Sequence, residues 1–189
     1  LKSDNTGTSY VYALSGDGSI AAGWAQSDTS NQRATIWSGT NWAGKADLGT
    51  LKSDNSGVSR VTSLSTDGHT ATGSAQDDNG NTRPTVWKNS DWRNGSLLQK
   101  QDLGTLKADN SGNAIAQVVS DDGRIVAGTS DSDSGYRRAV VWFIGRGRAV
   151  DIDNTHRSIS TLSADTFSLL AARGNAVKSL LDGCRAEKG

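Results

Sequence analysis

Along residues 1–154, short runs that alternate between apolar and polar residues are separated by turns rich in Gly, Asp, Asn and Ser. Such alternation has the period of a β-strand, whose successive side chains point to opposite faces. The first two runs, residues 10–14 and 19–23, flank the pair Asp17-Gly18. Because Asp and Gly tolerate the positive φ of a type I′ turn, these two runs predict an antiparallel hairpin.

A third and a fourth strand complete this unit. In residues 33–37 the alternation places Ala34 and Ile36 on one face and the other three side chains on the opposite face. A turn at residues 38–41 then leads to residues 46–51, which form a more irregular strand. Each unit therefore predicts a four-stranded antiparallel sheet.

The unit occurs three times, and this repeat is the strongest signal in the chain. Residues 1–7 return as residues 51–57 and 106–112, at spacings of 50 and 55 residues. Each copy also has a strand that ends in Gly and an Arg four residues before a Trp. These positions are Gly23, Gly73 and Gly128; Arg33, Arg83 and Arg138; and Trp37, Trp87 and Trp142. We expect the tryptophans to pack between sheets and the arginines to stack or to bind backbone carbonyls.

The repeats, at 1–50, 51–105 and 106–154, need neighbours because a single sheet cannot bury both of its faces. Four-stranded units of about this length are typical of propeller blades. We therefore predict an all-β protein with three four-stranded antiparallel repeats in a β-propeller-like arrangement; a β-prism or trefoil is the alternative. Propellers usually have about four to eight blades, so either a longer protein adds repeats or a homo-oligomer completes the ring. The start without Met, inside the pattern, predicts a fragment of a longer protein.

After residue 154 the apolar pattern changes to the period of a helix. Between residues 158 and 181, apolar side chains recur at steps of three, four or seven residues, which predicts a C-terminal α-helix. Gly174 interrupts this helix, and Gly183 suits its end. Residues 155–189 are therefore predicted to be a helical tail or linker. Cys184 is the single cysteine, so it has no internal disulfide partner.

Composition and charge exclude some partners. Lys plus Arg and Asp plus Glu both number 20, so there is no net charge to attract nucleic acid or an anionic membrane. No apolar run approaches the roughly 18 to 20 residues that cross a bilayer, so we expect no membrane insertion by this chain. The 22 Gly and the hydrophobic content of 34% suit many short strands joined by tight turns.

Residues that could carry chemistry are few. His69 lies beside the Asp67-Gly68 turn, His156 lies in the junction, and no His-Glu-x-x-His, Cys-x-x-Cys or Gly-x-Ser-x-Gly motif is present. We therefore predict no catalytic residue, no cofactor and no metal site. The acidic loops offer oxygen ligands of the kind that Ca²⁺ prefers, but the full ligand spacing is missing and a turn-forming role is favoured. These loops carry Asp28, Asp77, Asp78, Asp131 and Asp133.

Two tryptophans are candidate ligand-binding residues. Trp42 and Trp92 occupy corresponding predicted turn ends, where an aromatic ring can stack on a sugar or on a partner surface. Packing between blades is the competing interpretation. The third repeat has no counterpart of these tryptophans, and Pro84 stands where the other repeats have Ala34 and Ala139. Neither difference threatens the predicted fold, but three equivalent ligand sites are not expected.

The repeated motifs point to a family. The combination Ser-x-Val-x-x-Leu-Ser-x-Asp-Gly, a strand ending in Gly, Arg-Ala-x-x-Trp and Asp-Leu-Gly-Thr-Leu resembles the HAF-type extracellular repeats of bacterial surface proteins, over about residues 1–154. Residues 152–157 and 165–184 resemble the helical segment that precedes the translocator barrel of autotransporters. The resemblance implies an autotransporter passenger at the outer-membrane surface or outside the cell.

Three functions are compatible with these features. The first is a non-enzymatic, virulence-associated adhesin that binds a protein or a glycan at the cell surface. The second is a structural stalk or self-association unit. The third is a hydrolase with an active site between repeats, which requires acids, bases or nucleophiles that only the fold brings together.

Overall fold

The structure, a computed structural model, describes residues 1–4, 6–145 and 148–153. The chain divides into two compact units, Leu1–Ile152 and Asp153–Gly189. The first unit is described below. The predicted C-terminal helix, His156 and Cys184 lie outside the described residues.

The first unit consists of three four-stranded antiparallel sheets, so the predictions of an all-β fold and of three four-stranded repeats are confirmed. Within each sheet the strands lie side by side in chain order. Sheet 1 contains β1 (Ser9–Leu14), β2 (Ala21–Gln26), β3 (Gln32–Ser38) and β4 (Gly44–Asp47). Sheet 2 contains β5 (Ser59–Leu64), β6 (Thr70–Gln76), β7 (Thr82–Lys88) and β8 (Gln99–Asp102). Sheet 3 contains β9 (Ala114–Val119), β10 (Ile125–Asp131), β11 (Arg137–Phe143) and β12 (Arg148–Asp151).

The sheets stack through the first strand of the later sheet. β5 packs across β1, β2 and β3, and β9 packs across β5, β6 and β7. Ile36 of sheet 1 and Val61 and Trp87 of sheet 2 belong to one buried cluster. Val86 of sheet 2 and Ala116 of sheet 3 belong to the next. We call the side of sheets 2 and 3 that faces the preceding sheet, and the corresponding side of sheet 1, the leading face. The side of sheets 1 and 2 that faces the following sheet, and the corresponding side of sheet 3, is the trailing face.

The repeated tryptophans occupy the leading faces. Trp87 and Trp142 are almost completely buried. The indole Nε1 of Trp87 donates to the carbonyl of Leu48 at 3.0 Å, and that of Trp142 donates to the carbonyl of Gly104 at 3.2 Å. Both acceptors lie in the Asp-Leu-Gly segment that ends the preceding repeat. Each of these tryptophans therefore combines apolar burial with a directional bond across an interface between sheets.

The repeated arginines fasten the loops that connect the sheets. Nε of Arg83 lies 2.8 Å from a carboxylate oxygen of Asp102. The same guanidinium donates to the backbone carbonyl of Asn110 at 2.8 Å and to its side-chain oxygen at 2.9 Å. In the first repeat, Arg33 pairs with Asp47 at 3.1 Å. Arg33 also donates to the carbonyl of Asn55, so Arg33 and Arg83 bind backbone carbonyls as expected.

Pro84 is accommodated by a change on the facing sheet. In the first repeat the backbone N–H of Ala34 donates across the interface to the hydroxyl of Ser59, at 2.9 Å. Pro84, at the corresponding position of β7, has no N–H to donate. The residue that corresponds to Ser59 in sheet 3 is Ala114, which has no hydroxyl and is fully buried. The donor and the acceptor are therefore lost together, and no buried polar group is left unsatisfied by the proline.

Gly73 allows the two first strands of sheet 2 to approach closely. β5 is irregular between Val61 and Ser63, and a Cβ added to Gly73 would lie 2.0 Å from the carbonyl oxygen of Arg60. We expect Gly73→Ala to lower the free energy of unfolding by about 1–3 kcal/mol, because the strands must separate. Chemical denaturation measures this loss. Gly95→Ala is the control, since no atom lies within 4 Å of its added Cβ. Equal stability of the two variants would contradict the close-approach explanation.

Candidate functional site

A groove of about 420 Å³ lies where the turns of sheets 1 and 2 come together. Both predicted ligand-binding residues, Trp42 and Trp92, line it. The β1–β2 turn contributes Ser19, and the turn after β7 contributes Asp91 and Arg93. The stacking of two repeats therefore brings together the two tryptophans, which are 50 residues apart in the sequence.

Trp42 offers an exposed aromatic surface. It ends a 3-10 turn, Thr40–Trp42, and half of its surface is accessible. Both Asn41 and Trp42 have positive φ, 55° and 51°. A bulky residue in the left-handed region is uncommon because its Cβ crowds the backbone. The turn therefore accepts backbone strain while it holds the indole outward, a combination that is frequent at binding sites.

Trp92 is a wall of the groove rather than an exposed platform. It is 4% exposed and belongs to the hydrophobic cluster between sheets 1 and 2. Its Nε1 donates to the carbonyl of Gly68 at 2.7 Å. The two predicted ligand-binding residues thus share one groove but differ in accessibility. Of the two indoles, that of Trp42 is the accessible one.

The difference between the two turns has a local cause. Asn89 in the second repeat accepts a hydrogen bond from the backbone N–H of Asp91 at 2.9 Å and donates to the carbonyl of Asn94 at 3.0 Å. The first repeat has Gly39 at that position, with φ of 81°. Glycine lacks a side chain to bridge the turn and adopts positive φ without strain. The connection to the next strand is also five residues shorter in the first repeat, so the chain takes a different path around Trp42.

The rim of the groove carries one ion pair. Nε of Arg93 lies 3.3 Å from a carboxylate oxygen of Asp91, and both side chains are largely exposed. The backbone N–H of Arg93, followed by its guanidinium, lowers the pKa of Asp91 below its ordinary value. The carboxylate is therefore held in its charged, hydrogen-bond-accepting form beside a cation. Together the two groups offer acceptors and donors without local net charge.

The opposite wall is a rigid turn. Asp17 accepts hydrogen bonds from the Ser15 hydroxyl at 2.7 Å, from the Ser19 backbone N–H at 2.9 Å and from the Ser19 hydroxyl. These bonds, with that of the Ser15 hydroxyl largest, lower the pKa of Asp17 to about 2. Ser19 is consequently fixed at the edge of the groove. With Ser38 and Ser90, which also line the groove, it gives the site three hydroxyl-bearing residues.

Ser19, Ser38, Ser90 and Arg93 were not among the residues that the sequence singled out. Each belongs to an ordinary polar turn, and no local motif distinguishes it. The available signal was the register of the repeats. If adjacent repeats stack, the turn between the first two strands of one repeat lies near the last turn of the next repeat, as the groove shared by Ser19 and Asp91 shows.

The aspartates of the acidic loops hold the segments that connect the sheets. Asp28, Asp78 and Asp133 accept backbone hydrogen bonds from the connecting segments, at 2.9, 2.8 and 3.2 Å. The donors are the N–H groups of Ser3, Ser53 and Ala108. Among the described residues no group of three or more His, Cys, Asp or Glu side chains could hold a metal ion. Nor is any helix in that part of the chain long and apolar enough to cross a membrane.

His69 lies beside a carboxylate at the surface. Its Nδ1 is 3.5 Å from a carboxylate oxygen of Asp67, and both side chains are about half exposed. Asp67 also accepts the Ser65 hydroxyl and the His69 backbone N–H, which together lower its pKa. Asp67 lies in the hairpin turn of the second repeat, at the position that Asp17 occupies in the first repeat.

Fold and groove together define an all-β repeat protein of three stacked four-stranded sheets. No protein-family model matches the chain, and no curated protein sequence is significantly similar to it. Among solved structures, the chain is similar to TolB from Acinetobacter baumannii, with a TM-score of 0.53 and 12% sequence identity. The match covers 77% of this chain and 32% of the TolB chain, so this chain spans about a third of that protein's length. At this identity the likeness concerns the fold alone, and it is consistent with a propeller-like arrangement.

Proposed function

We propose that this chain is a non-enzymatic interaction module of a bacterial surface or secreted protein, and that it binds a glycan through the groove beside Trp42. The observation that carries the proposal is the exposed Trp42 indole, held by a strained turn over a groove with polar edges. Ligand sites commonly combine apolar or aromatic surface with a few fixed polar groups.

The composition of the groove favours a glycan over a flat protein surface. A sugar ring presents C–H groups on its face, which suit an indole, and hydroxyls around its edge. The hydroxyl of Ser19 donates to Asp17 and can accept from a ligand, whereas those of Ser38 and Ser90 can donate and accept. The pair Asp91–Arg93 adds a charged acceptor and a charged donor. A protein partner at the same groove is the second candidate.

The carboxylates at the groove are poorly suited to acid–base catalysis. A general acid or base works best when its pKa lies near the working pH. The acidic group of the groove, Asp91, has its pKa moved in the opposite direction, away from neutrality. The same holds for Asp17 behind Ser19. These carboxylates are suited to accept hydrogen bonds and to support turns.

The location of the module and its role as a virulence-associated adhesin or autotransporter passenger rest on the resemblance of the repeats to HAF-type extracellular repeats. We take its finer architecture to be a propeller-like stack of blades. In that arrangement, loops at one end of the sheets form the groove, and the sheets themselves provide the rigid support that loop-borne binding sites require.

A binding screen with a single substitution tests the proposal. We expect the full chain to bind members of a glycan array, and Trp42→Ala to weaken that binding at least about tenfold, the effect of losing an aromatic anchor. Trp42 is exposed, so the variant should keep the thermal stability of the parent. Calorimetric titration of the best glycan measures the affinity.

The matched control is Tyr136→Ala, which removes another exposed aromatic side chain, in the loop between β10 and β11. Its affinity should equal that of the parent. A parallel screen of host matrix proteins covers the second candidate: binding there that depends on Trp42 would replace the glycan by a protein. If neither screen gives binding, or if Trp42→Ala binds as well as the parent, the proposed site is wrong.

A further inference from the structure

The first sheet exposes, on its leading face, residues that the other two sheets bury. Val11 is 53% exposed, whereas Val61 at the corresponding position of sheet 2 is completely buried. Leu14 is 59% exposed, whereas Leu64 is 9% exposed. The residue types are identical, so the difference comes from the presence or absence of a sheet in front of them.

Trp37 shows the same contrast. It corresponds to Trp87 and Trp142, which are buried and donate their indole N–H to the preceding repeat. Trp37 is only partly buried, and among the described residues its indole N–H has no hydrogen-bond partner. The leading face of sheet 1 therefore carries an unused directional donor in addition to its apolar side chains.

Among the described residues, no sheet covers the trailing face of sheet 3 either. Val141 corresponds to Ile36 and Val86, which are at most 1% exposed, yet Val141 itself is partly exposed. Ala139 is likewise partly exposed where Ala34 is buried. The two ends of the stack thus present the two halves of the interface that is formed twice inside it.

We infer that these two faces bind each other between two copies of this chain, head to tail. The residues of the leading face, Val11, Leu14 and Trp37, are of the same types as Val61, Leu64 and Trp87. The latter pack against Ala34 and Ile36 of sheet 1, and the trailing face of sheet 3 offers Ala139 and Val141 in their place. Because the two kinds of face already fit each other within the chain, they can also fit each other between two copies.

A line of backbone hydrogen bonds supports the same direction of assembly. The N–H of Gly16 donates to the carbonyl of Thr66 at 2.8 Å, and the N–H of Thr66 donates to the carbonyl of Asp121 at 3.1 Å. These residues hold corresponding places in the three hairpin turns. A copy seated on sheet 3 would continue the line by bringing its own Gly16 to Asp121.

The contact is heterologous, because it joins two different surfaces, and such contacts form rings when the rotation closes. Two copies with three sheets each give a ring of six sheets. That number lies within the range of about four to eight blades that propellers adopt. A closed pair covers both open faces at once, and the zero net charge of the chain opposes no such contact.

Size-exclusion chromatography with light scattering tests the inference on the full chain, in reductant so that Cys184 forms no cross-link. We expect a dimer. Val11→Arg and Val141→Arg should each abolish the dimer peak, and circular dichroism should show that both keep the strand content of the parent, because both positions are exposed or partly exposed in one copy. Leu97→Arg, at another exposed apolar residue, should leave the dimer intact.

Two results would overturn the inference. A parent chain that is monomeric at every soluble concentration would mean that other sheets, of a longer protein or of another partner, cover these faces. A dimer that survives Val141→Arg but not Val11→Arg would mean that two leading faces bind each other. In the supporting case, equal parts of the two arginine variants form an open heterodimer, since each supplies one intact face.

Discussion

Replacing Trp87 with alanine is expected to lower the free energy of unfolding by about 3–5 kcal/mol, the usual cost of removing a large buried aromatic side chain. Trp87 is completely buried between sheets 1 and 2. The substitution opens a cavity at that interface and also leaves the carbonyl of Leu48 without its indole donor. Urea denaturation followed by circular dichroism measures the loss.

The control for this prediction is Trp37→Ala. Trp37 has the same place in sheet 1, is partly exposed, and has no preceding sheet to pack against in the described part of the chain. Both substitutions should be compared in a Val11→Arg background, so that assembly between copies does not bury Trp37. We expect Trp37→Ala to cost less than half as much as Trp87→Ala. Equal costs would mean that burial between repeats is not what these tryptophans contribute.

The repeat pattern predicted the main features of this fold because those features are local. The Asp-Gly pairs mark hairpin turns at Asp17 and Asp67, but only the glycines have positive φ, so the prediction of type I′ turns was wrong. The alternation in residues 33–37 separates the two faces of β3. The Arg-to-Trp spacing likewise places two anchoring side chains on one face of a strand. Such signals depend only on a residue and its near neighbours in the sequence.

The candidate site was predicted less completely, because it depends on contacts between repeats. Trp42 and Trp92 look equivalent in the sequence, yet one is exposed and the other is buried against Gly68. Asn89 replaces Gly39, and the connection between the last two strands is five residues longer in the second repeat. The consequence of these two changes for the tryptophan appears only in the folded chain. Ser19 joins the groove only because two sheets stack.

Ser59 and Ala114, at corresponding positions of β5 and β9, show the same dependence on contacts between repeats. Pro84 cannot donate a backbone hydrogen bond, and the cost of this loss depends on where the missing N–H would have pointed. The donor that it lacks would have pointed to the next sheet, as Ala34 shows. Whether Pro84 is harmful is therefore decided by a residue 30 positions later, on another sheet.

Arg83→Met is expected to destabilise the chain by about 3–5 kcal/mol, since it breaks the ion pair of a nearly buried arginine and two bonds to backbone carbonyls. The Arg83 side chain is 3% exposed. Its guanidinium contacts Asp102, Asn110 and Gly112, so one side chain joins the end of sheet 2 to the connector that leads to sheet 3. Methionine fills much of the volume, so the loss reports the charge and the hydrogen bonds.

Two further variants decide whether the guanidinium acts in this way. Arg83→Lys keeps the positive charge but lacks the planar fork that reaches several acceptors, so it should remain clearly less stable than the parent. Arg138→Met alters the corresponding pair in the third repeat, where the arginine is 31% exposed and lies 3.3 Å from Asp151. Because solvent screens that pair, its loss should be less than half as large. If Arg83→Lys were as stable as the parent, charge alone would hold the connector, and the network of carbonyl bonds around Arg83 would contribute little.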